Sequence, residues 1–99
     1  MIKKLDIIEK IIVEKENKQP VLYKLILLND DFTTMDFVVK VLVMFLNKTR
    51  LQAKSLMLKI HNEGSAVCGL YSIDIAKTIQ KKILNYARVN HQPLKCIIN

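Results

Sequence analysis

Two adjacent carboxylates follow an apolar run near the start of the chain, in the segment YKLILLNDDFTTM at 23–35. Vicinal carboxylates can hold a divalent cation, but a calcium loop needs further oxygen ligands at alternating positions, and Phe32 and Thr33 do not supply them. Asp30 and Asp31 are also common turn residues, and their charge suits the N-terminus of a following helix. On residue types alone, a turn is therefore favoured over a binding site.

A histidine in the second half of the chain offers another polar group. His61 follows Met57 by four positions, so the two share one face of a predicted helix. A histidine beside an apolar face is most often structural. If this helix meets the end of the first strand, however, Asn29, Asp31 and His61 converge beside an apolar pocket. Amide oxygen, carboxylate and imidazole nitrogen all accept hydrogen bonds, and three acceptors suit an ammonium group with its three donors and positive charge.

The hydrophobic pattern predicts the first two elements that would carry these groups. Residues 21–28 are almost continuously apolar, which indicates a central strand that is buried on both faces. Thr33 and Asp36 fit a capping box, and the helix that they begin runs to about Leu46 with an apolar stripe along one side. The polar segment NDD therefore lies between a strand and a helix.

The remaining elements follow in a regular order. Another capping box, at Thr49 and Gln52, begins the second helix, which ends at Gly64, a residue type common at helix C-termini. Ser72 can cap a third helix. Strands are predicted before and after that helix, at 66–71 and 94–98. The order β-α-α-β-α-β predicts an α+β fold in which helices pack on a small sheet.

Length and charge limit the class of protein. A chain of 99 residues suggests one domain. In residues 1–20, apolar residues at helical spacing are followed by a polar stretch that ends at Pro20. An isolated helix this short is marginally stable in water, so we expect a flexible N-terminal arm followed by a folded domain at 21–99. The net charge of +7 leaves a small basic nucleic-acid or ribosome-associated module as an alternative function. Because the lysines are scattered, we favour a solvated basic surface and no nucleic-acid partner.

Other function classes lack their usual motifs. Cys68 and Cys96 are too far apart for a Cys-x-x-Cys pair, so we expect no metal site, and free buried thiols indicate a reducing compartment. There is no Gly-rich phosphate loop and no adjacent Cys-His or Ser-His pair, so we expect neither an enzyme nor a cofactor. No signal-peptide or membrane-spanning pattern is present, which predicts a protein of the cytoplasm, or of the inside of an organelle after processing, without a membrane partner.

Several segments together resemble one known family. YKLILLNDDFT at 23–33 is similar to the pattern Y-K-V-I-L-x-N-D-D-Y-T of ClpS, the adaptor of a bacterial AAA+ protease. MDFV at 35–38 resembles M-E-F-V, and HNEGSAVCG at 61–69 resembles H-x-x-G-x-A-x-C-G. YAR at 86–88 and HQPL at 91–94 complete the resemblance, which covers nearly all of the predicted folded part.

The resemblance implies a fold and a function. The fold would be a three-stranded antiparallel sheet packed against three helices, a fold also similar to the C-terminal domain of a ribosomal stalk protein. ClpS-like adaptors bind proteins by a free N-terminal Leu, Phe, Tyr or Trp, the N-degron. They deliver these proteins to the ClpA unfoldase, or to a ClpC-type relative, which feeds the ClpP peptidase.

The resemblance also implies roles for individual residues. Asn29, Asp31 and His61 would hold the α-amino group of the substrate, and Asp30 would line the entrance. Met35 matches a gatekeeper whose bulk disfavours β-branched first residues. The side-chain pocket would be formed by Leu27, Thr33, Met35, Val38, Met57, Ile60 and Leu94.

The chain departs from the family pattern at a few positions. Thr34 replaces a common Pro, and Val43 and Met44 are apolar where relatives tend to be polar. Asp74 keeps an acidic residue on the face expected to dock the ATPase, whereas Ile79 stands where some relatives carry a basic residue. The arm shows no clear match to the family.

Overall fold

The computed structural model describes residues 21–99 and confirms the α+β architecture. The predicted arm at 1–20 lies outside the described residues. The elements are β1 (Tyr23–Leu28), α1 (Met35–Phe45), α2 (Arg50–Glu63), β2 (Ser65–Tyr71), α3 (Ile73–Val89) and β3 (Lys95–Ile98). Both β2 and β3 pair antiparallel with β1, which gives the strand order β2-β1-β3 and makes β1 the central strand as predicted.

The helices cover only one face of this sheet. Leu25 and Leu27 of β1 point towards the helices and are fully buried. Lys24 and Ile26, which alternate with them along the strand, point to the other face, where Lys24 is exposed and Ile26 is half-buried. The prediction that β1 is buried on both faces was therefore wrong. A continuous apolar run does not by itself indicate burial on both faces, because an exposed sheet face also accepts β-branched and other apolar side chains.

The core lies between the sheet and the helices. Buried side chains of α1 and α2 meet those of the inward face of the strands and of α3, and they include Leu25, Leu27, Phe37, Val38, Val41, Leu42, Ala53, Ile60, Cys68, Ile83, Ala87, Leu94 and Cys96. Cys68 and Cys96 are free and buried, as predicted. Burial raises the pKa of the Cys68 thiol and, more strongly, raises that of Cys96 to about 12.

The start of α1 differs from the predicted capping box. The N-cap is Thr34, one residue later than expected, and its hydroxyl accepts a hydrogen bond from the amide of Phe37 at 3.2 Å. Thr33 is instead held by the loop before the helix, because its hydroxyl donates to Asp30. Asp36 consequently lies in the first turn without the reciprocal role of a capping box.

The caps of the other helices agree better with the sequence. Thr49 and Gln52 form the predicted capping box of α2, and Gly64 ends this helix with a φ of 90°. Ser72 is the N-cap of α3, but its side chain makes no capping hydrogen bond. The sequence therefore located the helix ends to within about one residue, although it misjudged two of the capping bonds.

Candidate functional site

A cavity of about 410 Å³ opens between the loop after β1 and the helices α1 and α2. The loop and the end of α2 give it a polar side, and the two helices give it an apolar side. It is lined by Asn29, Asp30, Asp31, Phe32, Thr33, Thr34, Met35, Val38, Met57, Ile60 and His61. The fold thus brings together residues that lie more than thirty positions apart in the chain.

A backbone hydrogen bond joins the end of β1 to the end of α2. The amide of Asn29 donates to the carbonyl of Gly64 at 2.8 Å, and the amide of Gly64 donates to the carbonyl of Ile60 at 2.9 Å. Gly64 adopts a left-handed conformation that glycine accepts without steric cost. This turn places His61, in the last turn of α2, on the same cavity wall as Asn29.

Asp30 organises the loop. Its carboxylate accepts hydrogen bonds from the amide of Phe32 at 2.8 Å, from the amide of Thr33 at 2.6 Å and from the Thr33 hydroxyl. Partial burial alone would raise the pKa of Asp30, but these hydrogen bonds and the positive charge of Lys95 outweigh it and hold the pKa below its usual value. Asp30 therefore lines the cavity but uses its acceptors within the loop, as the turn interpretation predicts.

Three polar acceptors remain at the cavity wall. Asn29, Asp31 and His61 are exposed side chains of its lining. A side-chain amide oxygen, a carboxylate and an imidazole nitrogen can together accept the three hydrogen bonds of an ammonium group. The carboxylate also supplies the opposite charge, which makes such hydrogen bonds shorter and stronger than neutral ones.

The apolar side of the cavity is built in two levels. Val38 and Ile60 are buried members of the core, so they form a firm base. Met57 is half-buried and Met35 is 44% exposed, so both reach towards the opening. Unbranched methionine side chains adapt to differently shaped apolar groups. This side can therefore accept a large aliphatic or aromatic side chain.

Two of the predicted pocket residues lie in the core and are not among the residues that line the cavity. Leu27 and Leu94 belong to the buried cluster that also contains Val38 and Ile60, but neither lines the cavity. Leu27 faces inward from the central strand and is 0% exposed, and Leu94 precedes β3 and is 4% exposed. In this structure the two leucines support the cavity from the core and do not form its surface.

Two lining residues were not predicted from the sequence. Phe32 lines the cavity and is 81% exposed although it is a large aromatic residue. The sequence feature that could have indicated its role is an apolar side chain within a polar turn. Thr34 binds the loop to the turn before β3, because its amide donates to Gln92 Oε1 at 3.1 Å. Proline, which the family resemblance leads one to expect at this position, has no N–H and could not make that bond.

The predicted ATPase contact lies away from the cavity. Asp74 is exposed in the first turn of α3, a helix that contributes no residue to the cavity lining. Its position on a separate surface is compatible with a partner that binds while the cavity is occupied. Its role stays a prediction.

Within residues 21–99, no three His, Cys, Asp or Glu side chains are close enough together to hold a metal ion. In the same range, no helix has the length and apolar character needed to cross a membrane.

Comparison with protein families gives one consistent result. The family model for the ATP-dependent Clp protease adaptor protein ClpS matches residues 18–97. The ATP-dependent Clp protease adapter protein ClpS of Paraburkholderia xenovorans is 47% identical over 85 residues, which cover 86% of this chain and 82% of that protein. The adapter protein of the same name from Shewanella piezotolerans is 48% identical over 84 residues, with 85% and 82% coverage.

A solved structure is also similar. Agrobacterium tumefaciens ClpS2 bound to L-phenylalaninamide superposes with a TM-score of 0.78 at 33% sequence identity. The match covers 82% of this chain and 98% of that one. The structural similarity therefore extends over most of this chain.

Proposed function

The chain belongs to the ClpS family of Clp protease adaptors, and we propose that it binds proteins by a free N-terminal Leu, Phe, Tyr or Trp and delivers them to a Clp unfoldase. The observation that carries this proposal is the cavity that combines three hydrogen-bond acceptors with an apolar base. A similar protein that binds L-phenylalaninamide, a molecule with a free α-amino group and an aromatic side chain, supports it.

The polar side of the cavity would select the α-amino group. Asn29, Asp31 and His61 accept its three hydrogen bonds, and the Asp31 carboxylate balances its charge. Hydrogen bonds to charged groups contribute roughly 1.5–3 kcal/mol. An acetylated N-terminus has no charge and a single donor, so acceptors would be left unpaired in the complex.

The apolar side would select the first side chain. Burial of a Leu or Phe side chain against Val38, Met57 and Ile60 contributes roughly 1.5–3 kcal/mol. Met35 stands partly exposed at the opening and would act as the gatekeeper, since its bulk disfavours a side chain that branches at Cβ. Phe32, exposed at the edge of the cavity, adds an apolar contact for the incoming chain.

Delivery requires a second surface and a partner. The partner would be the N-terminal domain of a ClpA-type or ClpC-type AAA+ unfoldase, with Asp74 on the docking face. In this role the protein acts in the cytoplasm as an adaptor and carries out no chemical reaction of its own.

The decisive experiment compares a Leu-start peptide with its N-acetylated twin by fluorescence anisotropy. We expect acetylation to lower the affinity roughly 10- to 150-fold, which corresponds to the roughly 1.5–3 kcal/mol that hydrogen bonds to the charged amino group contribute. His61→Ala should weaken binding of the free peptide while circular dichroism and the unfolding midpoint stay unchanged. Equal affinity for the two peptides would refute the proposal.

A further inference from the structure

A second, larger groove runs along the outer seam of α1 and α2. It has a volume of about 620 Å³, and we call it the α1/α2 groove. Val43, Met44 and Leu58 line it, although they are 40%, 51% and 50% exposed. Exposed apolar side chains that share one groove indicate a binding surface more strongly than isolated ones.

The groove adjoins the cavity described above. Met57 lines both, and Asp36 of the groove follows Met35 of the cavity in the first turn of α1. A chain whose first residue occupies the cavity therefore has one end of the groove directly beside it. The substrate polypeptide itself is the occupant that this adjacency favours.

The length of the groove corresponds to a short peptide segment. From Asp36 to Met44, α1 rises about 12 Å at roughly 1.5 Å per residue. An extended chain covers this distance in about four residues at roughly 3.3 Å each. With the first residue in the cavity and the second at its edge, residues three to six of the substrate would lie along the groove.

The charges of the groove indicate which side chains it accepts. Arg50 and Lys54 line the α2 side, towards the far end of the seam, whereas Asp36 lines the near end. Lys40 also lines the groove, but its ammonium lies 5.9 Å from the ring centroid of Tyr86, so we assign the positive potential chiefly to α2. Carboxylates are favoured at the far end and disfavoured beside Asp36 and the loop aspartates.

We infer that the α1/α2 groove binds residues three to six of the substrate chain and selects alternating apolar and acidic side chains there. This inference rests on the proposed binding of a free N-terminus in the cavity. Alternate side chains of an extended segment point in opposite directions, so apolar ones can enter the groove while carboxylates reach its basic rim. The groove would thus extend recognition beyond the first residue.

The test uses phenylalaninamide and three peptides that all begin Leu-Ser. Positions three to six are Leu-Glu-Met-Glu, Leu-Lys-Met-Lys or Gly-Ser-Gly-Ser, and affinities are measured by calorimetry at low and at high salt. We expect the acidic peptide to bind about five- to twentyfold more tightly than the Gly-Ser peptide, with the lysine peptide weaker than the acidic one. The advantage over the lysine peptide should shrink at high salt because exposed charges are screened.

Variants with matched controls locate the effect. Lys54→Glu should weaken the acidic peptide about three- to tenfold and strengthen the lysine peptide, whereas Lys82→Glu on α3 makes the same charge change away from the groove. Met44→Ser should weaken both peptides that carry apolar residues, and Val89→Ser at the end of α3 is its exposed apolar control. All four variants should leave phenylalaninamide binding unchanged.

The outcomes separate this inference from the proposed function. If phenylalaninamide and all three peptides fail to bind, the proposed function is wrong and the inference is refuted with it. If phenylalaninamide binds but the three peptides have equal affinity, only the groove inference is refuted. A dimer that Met44→Ser dissociates in sedimentation, without any change in peptide affinity, would also refute it and assign the groove to a second copy of the chain.

Discussion

Replacement of the two loop aspartates one at a time should separate structure from binding. Asp30 accepts three hydrogen bonds within the loop, whereas Asp31 is an exposed member of the cavity lining. We therefore expect Asp30→Ala to reduce the stability of the fold and Asp31→Ala to reduce ligand affinity. The two residues are adjacent and chemically identical, so each variant is the control for the other.

The stability change can be estimated from the contacts. Hydrogen bonds to a charged group contribute roughly 1.5–3 kcal/mol, but the amide of Phe32 is exposed and can be solvated once the carboxylate is removed. The bonds to Thr33 are only part-buried, so we expect Asp30→Ala to lower the free energy of unfolding by about 1–2 kcal/mol. Asp31→Ala should change it by less than about 0.5 kcal/mol.

The acid dependence of stability provides a second measurement. The pKa of Asp30 is lowered in the folded state, so its contribution is complete above the ordinary value of 3.8 and is lost as the pH falls through the folded value. The stability difference between the wild type and Asp30→Ala should therefore be constant near neutral pH and shrink below about pH 4. Urea denaturation followed by circular dichroism at several pH values measures both effects.

Binding completes the comparison. Asp31→Ala should lower the affinity for a Leu-start peptide roughly 10- to 150-fold without unfolding the domain. If Asp31→Ala destabilises the fold as much as Asp30→Ala, or leaves peptide affinity unchanged, the assignment of separate roles to the two carboxylates is wrong. Asp74→Ala, which removes a surface carboxylate outside the cavity, should leave the affinity for the peptide unchanged.

Three further predictions concern the frame of the site. Gly64→Ala should destabilise the domain by about 1 kcal/mol in urea denaturation, because a left-handed φ of 90° is unfavourable for alanine; no change would mean that this turn relaxes. Thr34→Ala should cost about 1 kcal/mol through loss of the cap, whereas Gln92→Ala, which removes only the bond to the Thr34 amide, should cost less; the reverse order would contradict the capping role. Cys68 and Cys96 should react with a thiol reagent only as fast as the native protein opens, because burial raises both pKa values and restricts access; rapid native labelling would refute this.

Local sequence patterns predicted the elements with small errors. The order of strands and helices, the capping box at Thr49 and Gln52, and the end of α2 at Gly64 depend on interactions within one turn, which neighbouring residues specify directly. The cap of α1 was misplaced by one residue because both Thr33 and Thr34 can cap, and the choice depended on Asp30 binding the hydroxyl of Thr33. Competing local hydrogen bonds of this kind are not visible in a residue pattern.

The candidate site was predicted only in part. The residue types suggested an ammonium site at Asn29, Asp31 and His61, but only on the condition that the end of β1 meets the end of α2. The family resemblance supplied that expectation, and it also named Leu27 and Leu94, which lie in the buried cluster with Val38 and Ile60 and are not among the residues that line the cavity. Phe32 could not be assigned from the pattern because its exposure depends on how the loop turns.

The sequence by itself determined the types of the elements, their approximate ends and the chemical groups available to a site, since these depend on side chains close together in the chain. Only the tertiary structure decided which of those groups share a cavity. Asn29 and His61 are 32 positions apart, and the bond from the Asn29 amide to the Gly64 carbonyl that brings their segments together extends the antiparallel pairing of β1 with β2, a long-range contact of the sheet. Packing also left Met57 in the wall of both the cavity and the α1/α2 groove. Such long-range contacts depend on the packing of the whole domain, and no local pattern specifies them.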